Sequence, residues 1–307
     1  MEILKNPDDF SAQGRKVSLA IGMFDGVHLG HQQVIRQAVG DAEQHEGLAV
    51  AVTFDQHPNS IVAPERVPPM IYSQSQKLRA LASLGTRAAL IIPFTREFSG
   101  QSADTFIRSL TQKLGSVYSI CVGSSFTFGH KRSGNVSILK QLGEAEGFIV
   151  HGIAAVSLDH EIVSSTRIRE AVCRGDFDKA SQMLGREYAL GGPVVHGDGL
   201  GRQLGYPTAN IDVRGMAVPP NGVYVVHARV DGRRHRAVAN VGHRPTLRNP
   251  APELRVEAHL LDFNEDLYKR ELELTFVGRL RDEQTFSSLE ALREQLAKDV
   301  AAARGKF

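Results

Sequence analysis

Only two cysteines, Cys121 and Cys173, occur in 307 residues, far apart in the chain. One falls in a strand-like run and the other in a helical context. No disulfide framework is expected, and a reducing cytoplasm is the expected compartment. No apolar run is long enough to span a bilayer, and residues 1–9 lack the apolar core of a secretion signal. Nor is there an excess of charge. Thirty-six basic and 34 acidic residues are interspersed for a net +2, which excludes a global field for nucleic acid or an anionic membrane. No basic stripe with interleaved aromatics appears. Repeats, low-complexity stretches and the Gly-x-x-x-x-Gly-Lys-Ser/Thr phosphate loop are missing too.

What is present is globular. Apolar residues make up 42% and charged residues 23%, and the length suits two domains rather than one core. From residue 17 to about 155, near-continuous apolar runs (Val17–Ile21, Leu48–Phe54, Ala88–Ile92, Val117–Val122 and Phe148–Val150) alternate with helical spacing. That pattern predicts a parallel sheet covered on both faces. A helix near Asp176–Leu184 closes this part. After about Arg186 the character changes to short alternating strands, and Asp231-Gly232 marks a tight hairpin. An antiparallel barrel is predicted, ending in a helix over Ser287–Ala303 capped by Ser287 or Ser288, with Glu290 able to reach back. The expected domains are 1–185, α/β, and 186–307, all-β.

The stretch Gly22-Met23-Phe24-Asp25-Gly26-Val27-His28-Leu29-Gly30-His31 joins the first strand to the first helix. A helix start presents free N–H groups and partial positive charge, which suits a phosphate chain. Two imidazoles three apart share a face there and can donate to charged oxygens. Ordinary core or surface histidines fit the spacing as well. A zinc pair fits less well, with no third ligand nearby. Downstream, Ser164-Ser165-Thr166-Arg167-Ile168-Arg169 opens a helix. Hydroxyls, amides and guanidinium groups there could clamp a triphosphate, although a plain capped helix with solvated arginines reads the same way.

The second part has phosphate chemistry of its own. Gly197-Asp198-Gly199-Leu200-Gly201-Arg202-Gln203-Leu204-Gly205 could wrap a nucleotide through backbone amides, or be a glycine-rich hairpin loop. Thr208 and Asn210, two apart on an extended segment, could both ligate Mg²⁺. Glu257 is a polar position in an alternating strand, either solvent-facing or placed to accept a proton during phosphoryl transfer.

The His28-Leu29-Gly30-His31 string resembles the His-x-Gly-His signature of nucleotidylyltransferases, and Ser164–Arg169 is similar to their second, Ser-Ser-Thr-x-Ile-Arg. Tyr206-Pro207-Thr208-Ala209-Asn210, Val238-Ala239-Asn240-Val241-Gly242 and His259-Leu260-Leu261-Asp262-Phe263 resemble riboflavin kinase. In this order, the strings look like the bacterial bifunctional riboflavin kinase/FMN adenylyltransferase family over nearly the whole chain. The resemblance implies a Rossmann-like nucleotidylyltransferase domain followed by a riboflavin kinase barrel. It also implies two reactions, riboflavin to FMN and FMN to FAD with release of pyrophosphate. ATP would be the co-substrate and Mg²⁺ the cofactor.

Position by position, the resemblance implies that His28 and His31 stabilise charge on the ATP phosphates. Gly22, Phe24, Asp25 and Gly26 would shape that pocket, and His57, Ser164, Ser165, Thr166, Arg167 and Arg169 would line the phosphates. Ser125, Phe126 and Phe128 would hold FMN. In the barrel, Gly197, Gly199, Gly201 and Gly205 would fold over ATP, with Thr208 and Asn210 on the metal and Glu257 as base. Asp262, Tyr268 and Arg279 would sit near riboflavin. Partners would be riboflavin, FMN, FAD and ATP, with no nucleic acid and no membrane, the chain being a monomer or weak homo-oligomer. Met23, Gln56, Ser125 and His243 depart from the family's usual residues. Ser125 and Met23 suggest one alternative, a monofunctional riboflavin kinase with an impaired adenylyltransferase domain; an alternative of another class is a flavin- or nucleotide-binding regulator without turnover.

Overall fold

The computed structural model describes residues 1–246 and 249–307. The chain divides into two compact units, one of residues 1–69 and 74–165, the other of residues 70–73 and 166–307.

The first unit is built on six parallel strands: β1 (Glu2–Leu4), β2 (Val17–Ile21), β3 (Leu48–Phe54), β4 (Ala88–Ile92), β5 (Val117–Gly123) and β6 (Ile149–Ile153). Their order across the sheet is β1-β4-β3-β2-β5-β6, all pairs parallel. The longer helices are α1 (Leu29–Gln44), α2 (Gln74–Ser83), α3 (Ala103–Lys113) and α4 (Val136–Glu146). Period-two alternation decides which helices cover which face. Leu19, Ile21, Val50, Val52 and Ile120 turn to a core shared with Phe106, Ile107, Leu110, Leu139 and Leu142 of α3 and α4. Ala20, Ala51, Ala89 and Cys121 turn the other way, against Val34, Ile35 and Ala38 of α1 and Leu81 of α2. Small strand residues let α1 and α2 lie close. Each fully buried aliphatic side chain contributes about 2 kcal/mol.

This order sets the site. The chain moves outward from β2 through β3 to β4, then returns to place β5 on the other side of β2. A crevice opens at such a reversal, beyond the carboxyl ends of the strands. Gly22 is the first residue past β2.

In the second unit, helices α5 (Ser165–Arg174) and α6 (Phe177–Leu184) precede a closed antiparallel barrel; α5 begins at the last residue of the first unit. Its strands are β7 (Ala189–Val195), β8 (Ala209–Ile211), β9 (Gly222–Val230), β10 (Arg233–Thr246), β11 (Asn249–Leu260) and β12 (Glu271–Arg281). They close in the order β7-β8-β11-β10-β9-β12. The β9–β10 hairpin turns on Asp231 and Gly232, with φ of 47° and 79°, the left-handed pair of a type I′ turn. Helix α7 (Leu289–Arg304) follows. Ser288 caps it, its hydroxyl accepting from the amide of Ala291 at 3.1 Å. Glu290 is therefore the second helical residue, one short of the position from which a capping box reaches back.

Candidate functional sites

In the first unit the turn after β2 is tightly wound. Phe24 has φ 51° and ψ 30°, Gly26 φ 75° and Val27 φ 41°, a strained run of the kind kept at ligand sites. It aims the chain so that His28 becomes the N-cap of α1 rather than part of it. The Nδ1 of His28 accepts from the amide of His31 at 3.4 Å. The two imidazoles stack, with centroids 3.6 Å apart and 19° between planes, and buried Phe24 meets His31 edge-on at 5.4 Å. Asp25 is buried, and its carbonyl accepts from the Ser165 hydroxyl at 3.1 Å. Of the residues proposed for this nucleotide site, His28, His31, Phe24, Asp25, Gly26 and Ser165 are thus brought together. Gly22 begins the same turn. Ser164 is half-buried just before α5. Thr166, Arg167 and Arg169 follow on α5, Thr166 exposed and both arginines half-buried, and group with the second unit.

Beside the turn lies a cavity of about 780 Å³ whose walls include Met23, Phe54, Phe94, Phe98, Phe106, Phe126 and Phe128. The rings contact one another edge-on, tilted or stacked at 5.2 to 6.3 Å. His57 faces this cavity, its Nδ1 accepting from the Asn59 amide at 3.1 Å. Arg96, His130, Lys131 and Arg132 add polar groups to the lining. A flat aromatic ligand with a charged tail suits such walls. Phe126 and Phe128, both expected near FMN from the sequence, are among the lining residues. Ser125 is exposed and outside the lining, where Thr127 stands instead. Phe54, Phe94, Phe98 and Phe106 carry no local signal in the sequence, because only the sheet assembles them.

In the barrel the register makes the site. Asn210 of β8 pairs with Glu257 of β11, and Glu257 pairs with Asn240 of β10. Directly opposed residues on adjacent antiparallel strands share a face, so the three polar side chains form one row. All three line a cavity of about 390 Å³, together with Thr208. The Thr208 hydroxyl donates to the Glu257 carboxylate at 3.4 Å. Asn240 was not among the residues singled out for chemistry from the sequence. The opposite wall is apolar, with Val223, Val238, Phe286 and, from α7, Leu292, Leu296 and Val300. The glycine-rich stretch is not a plain loop; a single helical turn, Leu200–Gln203, interrupts it. Gly199 and Gly201 line the cavity, while Gly197 and Gly205 flank that turn outside its lining. A Cβ on Gly201 would lie 2.5 Å from the Tyr206 carbonyl and 3.2 Å from the Thr208 hydroxyl. Arg255 holds Asp198 at 2.9 Å.

The three residues proposed near riboflavin do not gather at Glu257. Asp262 receives Arg304 and Arg236, at 2.6 and 3.2 Å, and the Arg304 hydrogen bond foremost holds its carboxyl below the usual range. Tyr268 lines a separate recess of about 520 Å³ with Arg202, Phe263 and Asp266, which Thr208 also borders. Arg279 pairs with Asp282 at 2.6 Å, contacts the Asn221 carbonyl, and lines a groove with Phe177 and Tyr224. Among the described residues, no cluster of three or more His, Cys, Asp or Glu could hold a metal. Thr208 and Asn210 instead offer hard, neutral oxygens beside a carboxylate, a donor set that fits Mg²⁺ carried on a nucleotide.

Two family models match this chain: FAD synthetase over residues 10–167 and riboflavin kinase over residues 184–307. A bifunctional riboflavin kinase/FMN adenylyltransferase of Pseudomonas fluorescens is 38% identical over 99% of this chain and 97% of its own. A protein of the same name from Escherichia coli K12 is 35% identical over 94% and 92%. Among solved structures, a crystal structure of a macrolide-efflux protein from Streptococcus pneumoniae superposes with a TM-score of 0.80. It is 30% identical and covers 98% of both chains. Among the described residues here, no helix is long and apolar enough to cross a membrane.

Proposed function

The chain belongs to the bifunctional riboflavin kinase/FMN adenylyltransferase family, and from that premise we infer which site performs which step. The enzyme transfers the γ-phosphoryl of ATP to riboflavin, giving FMN, and joins FMN to the adenylyl group of a second ATP, giving FAD and pyrophosphate. The first step belongs to the barrel, 186–307, and the second to residues 1–185. The observation that supports this reading is that two unlike cavities lie on two compact units, in the order in which the two family models match.

For adenylyl transfer, the aromatic cavity would receive the flavin ring and the Gly22–His31 turn the ATP phosphates. A phosphate oxygen of FMN attacks the α-phosphorus, and the bond to the bridging oxygen of pyrophosphate breaks. His28 and His31 donate hydrogen bonds where charge grows on the leaving oxygens. Ser165, held to the turn through the Asp25 carbonyl, would add a hydroxyl beside the triphosphate. No covalent intermediate is needed; positioning and charge stabilisation suffice.

For phosphoryl transfer, the slot between α7 and the β8-β11-β10 row would take riboflavin. The recess lined by Arg202 and Tyr268 would take the nucleotide, since Thr208 borders both. Glu257 then accepts the proton of the terminal ribityl hydroxyl as that oxygen attacks the γ-phosphorus. Thr208 and Asn210 would hold Mg²⁺, which supplies positive charge against the phosphates when bound. Asp262 and Arg279 have structural partners in this reading and do not touch flavin.

The balanced surface charge and the small-molecule cavities support a cytoplasmic enzyme, monomeric or weakly self-associating, without nucleic-acid or membrane partners. The test is a chromatographic time course with riboflavin, excess ATP and Mg²⁺. FMN should appear first and convert to FAD. Accumulation of FMN alone would leave the kinase reading and overturn the adenylyltransferase one, and no product would overturn both.

A further inference from the structure

Lys77, on α2, is 3% exposed, although an ammonium is among the groups least often buried. Its Nζ donates to the Thr53 hydroxyl at 3.2 Å and to the Phe54 carbonyl at 2.8 Å. Thr53 passes the chain on, donating to the carbonyl of Met23 at 3.0 Å. Two carboxylates face the ammonium, Asp25 from the turn after β2 and Asp55 from the exit of β3. Asp55 in turn accepts from the Phe94 amide at 2.9 Å, beyond the end of β4. One buried cation therefore ties the exits of three adjacent strands, at the floor of the turn that carries His28.

Apolar groups in place of the ammonium and its carboxylate partners together would pack here at no greater cost, because burying ions is expensive even when they are paired. The placement of the ammonium is better explained by what it does to the turn above it. We propose that Lys77 is a positioning residue for adenylyl transfer, holding the Met23 carbonyl through Thr53 and balancing the Asp25 carboxylate beneath the ATP phosphates. The proposal rests on the adenylyl-transfer reading of the Gly22–His31 turn. Without the ammonium, Asp25 and Asp55 would oppose the negative charge that grows on the phosphates as the α-phosphorus is attacked, and Thr53 would lose the donor that orients its hydroxyl.

Burial lowers this ammonium to about 8, against the pull of Asp25 and Asp55, which raise it. The group is thus charged below that pH and neutral above it. FAD synthesis should fall as pH rises through about 8, with riboflavin phosphorylation showing no matching limb.

The experiment measures FAD formation from FMN, ATP and Mg²⁺ by the full-length protein between pH 6.5 and 9.5, with riboflavin phosphorylation in the same preparation as the control for folding. Lys77→Met should lower kcat for FAD by about 10- to 100-fold, leave both KM values nearly unchanged, and remove the alkaline limb. Thr53→Val should lower it about fivefold and keep the limb. A Lys77→Met enzyme with wild-type kcat and the wild-type alkaline limb would overturn the proposal. If Lys77→Met also lost kinase turnover, misfolding would be the cause and Thr53→Val would decide. A loss confined to FAD synthesis upholds the role of the network, and unchanged FAD synthesis overturns it. A wild-type protein that makes no FAD would remove the reading beneath the proposal, a result distinct from any variant's.

Discussion

The imidazoles of His28 and His31 lie face to face, 3.6 Å between centroids and 19° from parallel, before any substrate arrives. Nδ1 of His28 is committed to capping α1, which fixes that ring, and Phe24 holds His31 from the side. A pair held this way spends little on reorganisation when phosphate charge develops. Replacing either histidine with Ala should lower kcat for FAD synthesis by about 10²- to 10³-fold, while riboflavin phosphorylation persists. His28→Asn separates structure from chemistry, since Asn is a good N-cap. It should restore the melting temperature of His28→Ala but not FAD synthesis.

Glu257 makes the converse prediction. It stands between Asn210 and Asn240 in one row and receives the Thr208 hydroxyl. Glu257→Gln keeps the shape and removes the proton acceptor, so riboflavin phosphorylation should fall by about 10²- to 10⁴-fold. FAD synthesis from supplied FMN should continue. Product analysis with riboflavin in one reaction and FMN in another checks both statements.

These two sites were legible to different degrees. Strands β2 to β5 of the first unit could be read because each is largely buried on both faces and therefore nearly continuous in apolar residues. β1 could not, being three residues long and defined only by its pairing with Ala88–Leu90 of β4. His28 and His31 are neighbours in sequence, so their string announced them. The aromatic cavity did not announce itself, because Phe54, Phe94 and Phe128 come from segments that meet only at the sheet's end. Asp262 shows the opposite case. A residue in a family-like string reads as a ligand, yet its partners are Arg304 and Arg236, one of them 42 residues away on α7. Pairing across that distance leaves no periodic trace.

The turn Leu200–Gln203 depends on a close backbone approach at Gly201. A methyl group there would meet the Tyr206 carbonyl at 2.5 Å and crowd the Thr208 hydroxyl. Neither is a flexible chain end that can swing aside. Gly201→Ala should therefore push the turn off Thr208, raise the kinase KM for ATP about tenfold, and lower stability by about 1 to 3 kcal/mol. FAD synthesis from FMN should be unaffected. Initial-rate kinetics against ATP, with thermal unfolding alongside, tests this.

One ion pair anchors α7 against the barrel. Arg281, at the end of β12, meets Asp299 of α7 through two contacts, Nε–Oδ1 at 2.9 Å and Nη2–Oδ2 at 2.7 Å. Gln295 donates to the same carboxylate at 2.9 Å. The pair is largely shielded, with side-chain exposures of 17% and 6%. Leu296, one turn before Asp299, and the adjacent Val300 belong to the apolar wall. Asp299→Ala leaves the guanidinium without its counter-charge in a poorly solvated place, which should cost about 3 kcal/mol. The helix would then sit loosely, so the KM for riboflavin should rise more than kcat falls. Replacing both partners with apolar residues should recover much of the stability, since a buried pair contributes little beyond satisfying itself. If the double variant also recovers riboflavin KM, the pair acts only by anchoring α7; if KM stays high, Arg281 or Asp299 meets the flavin directly.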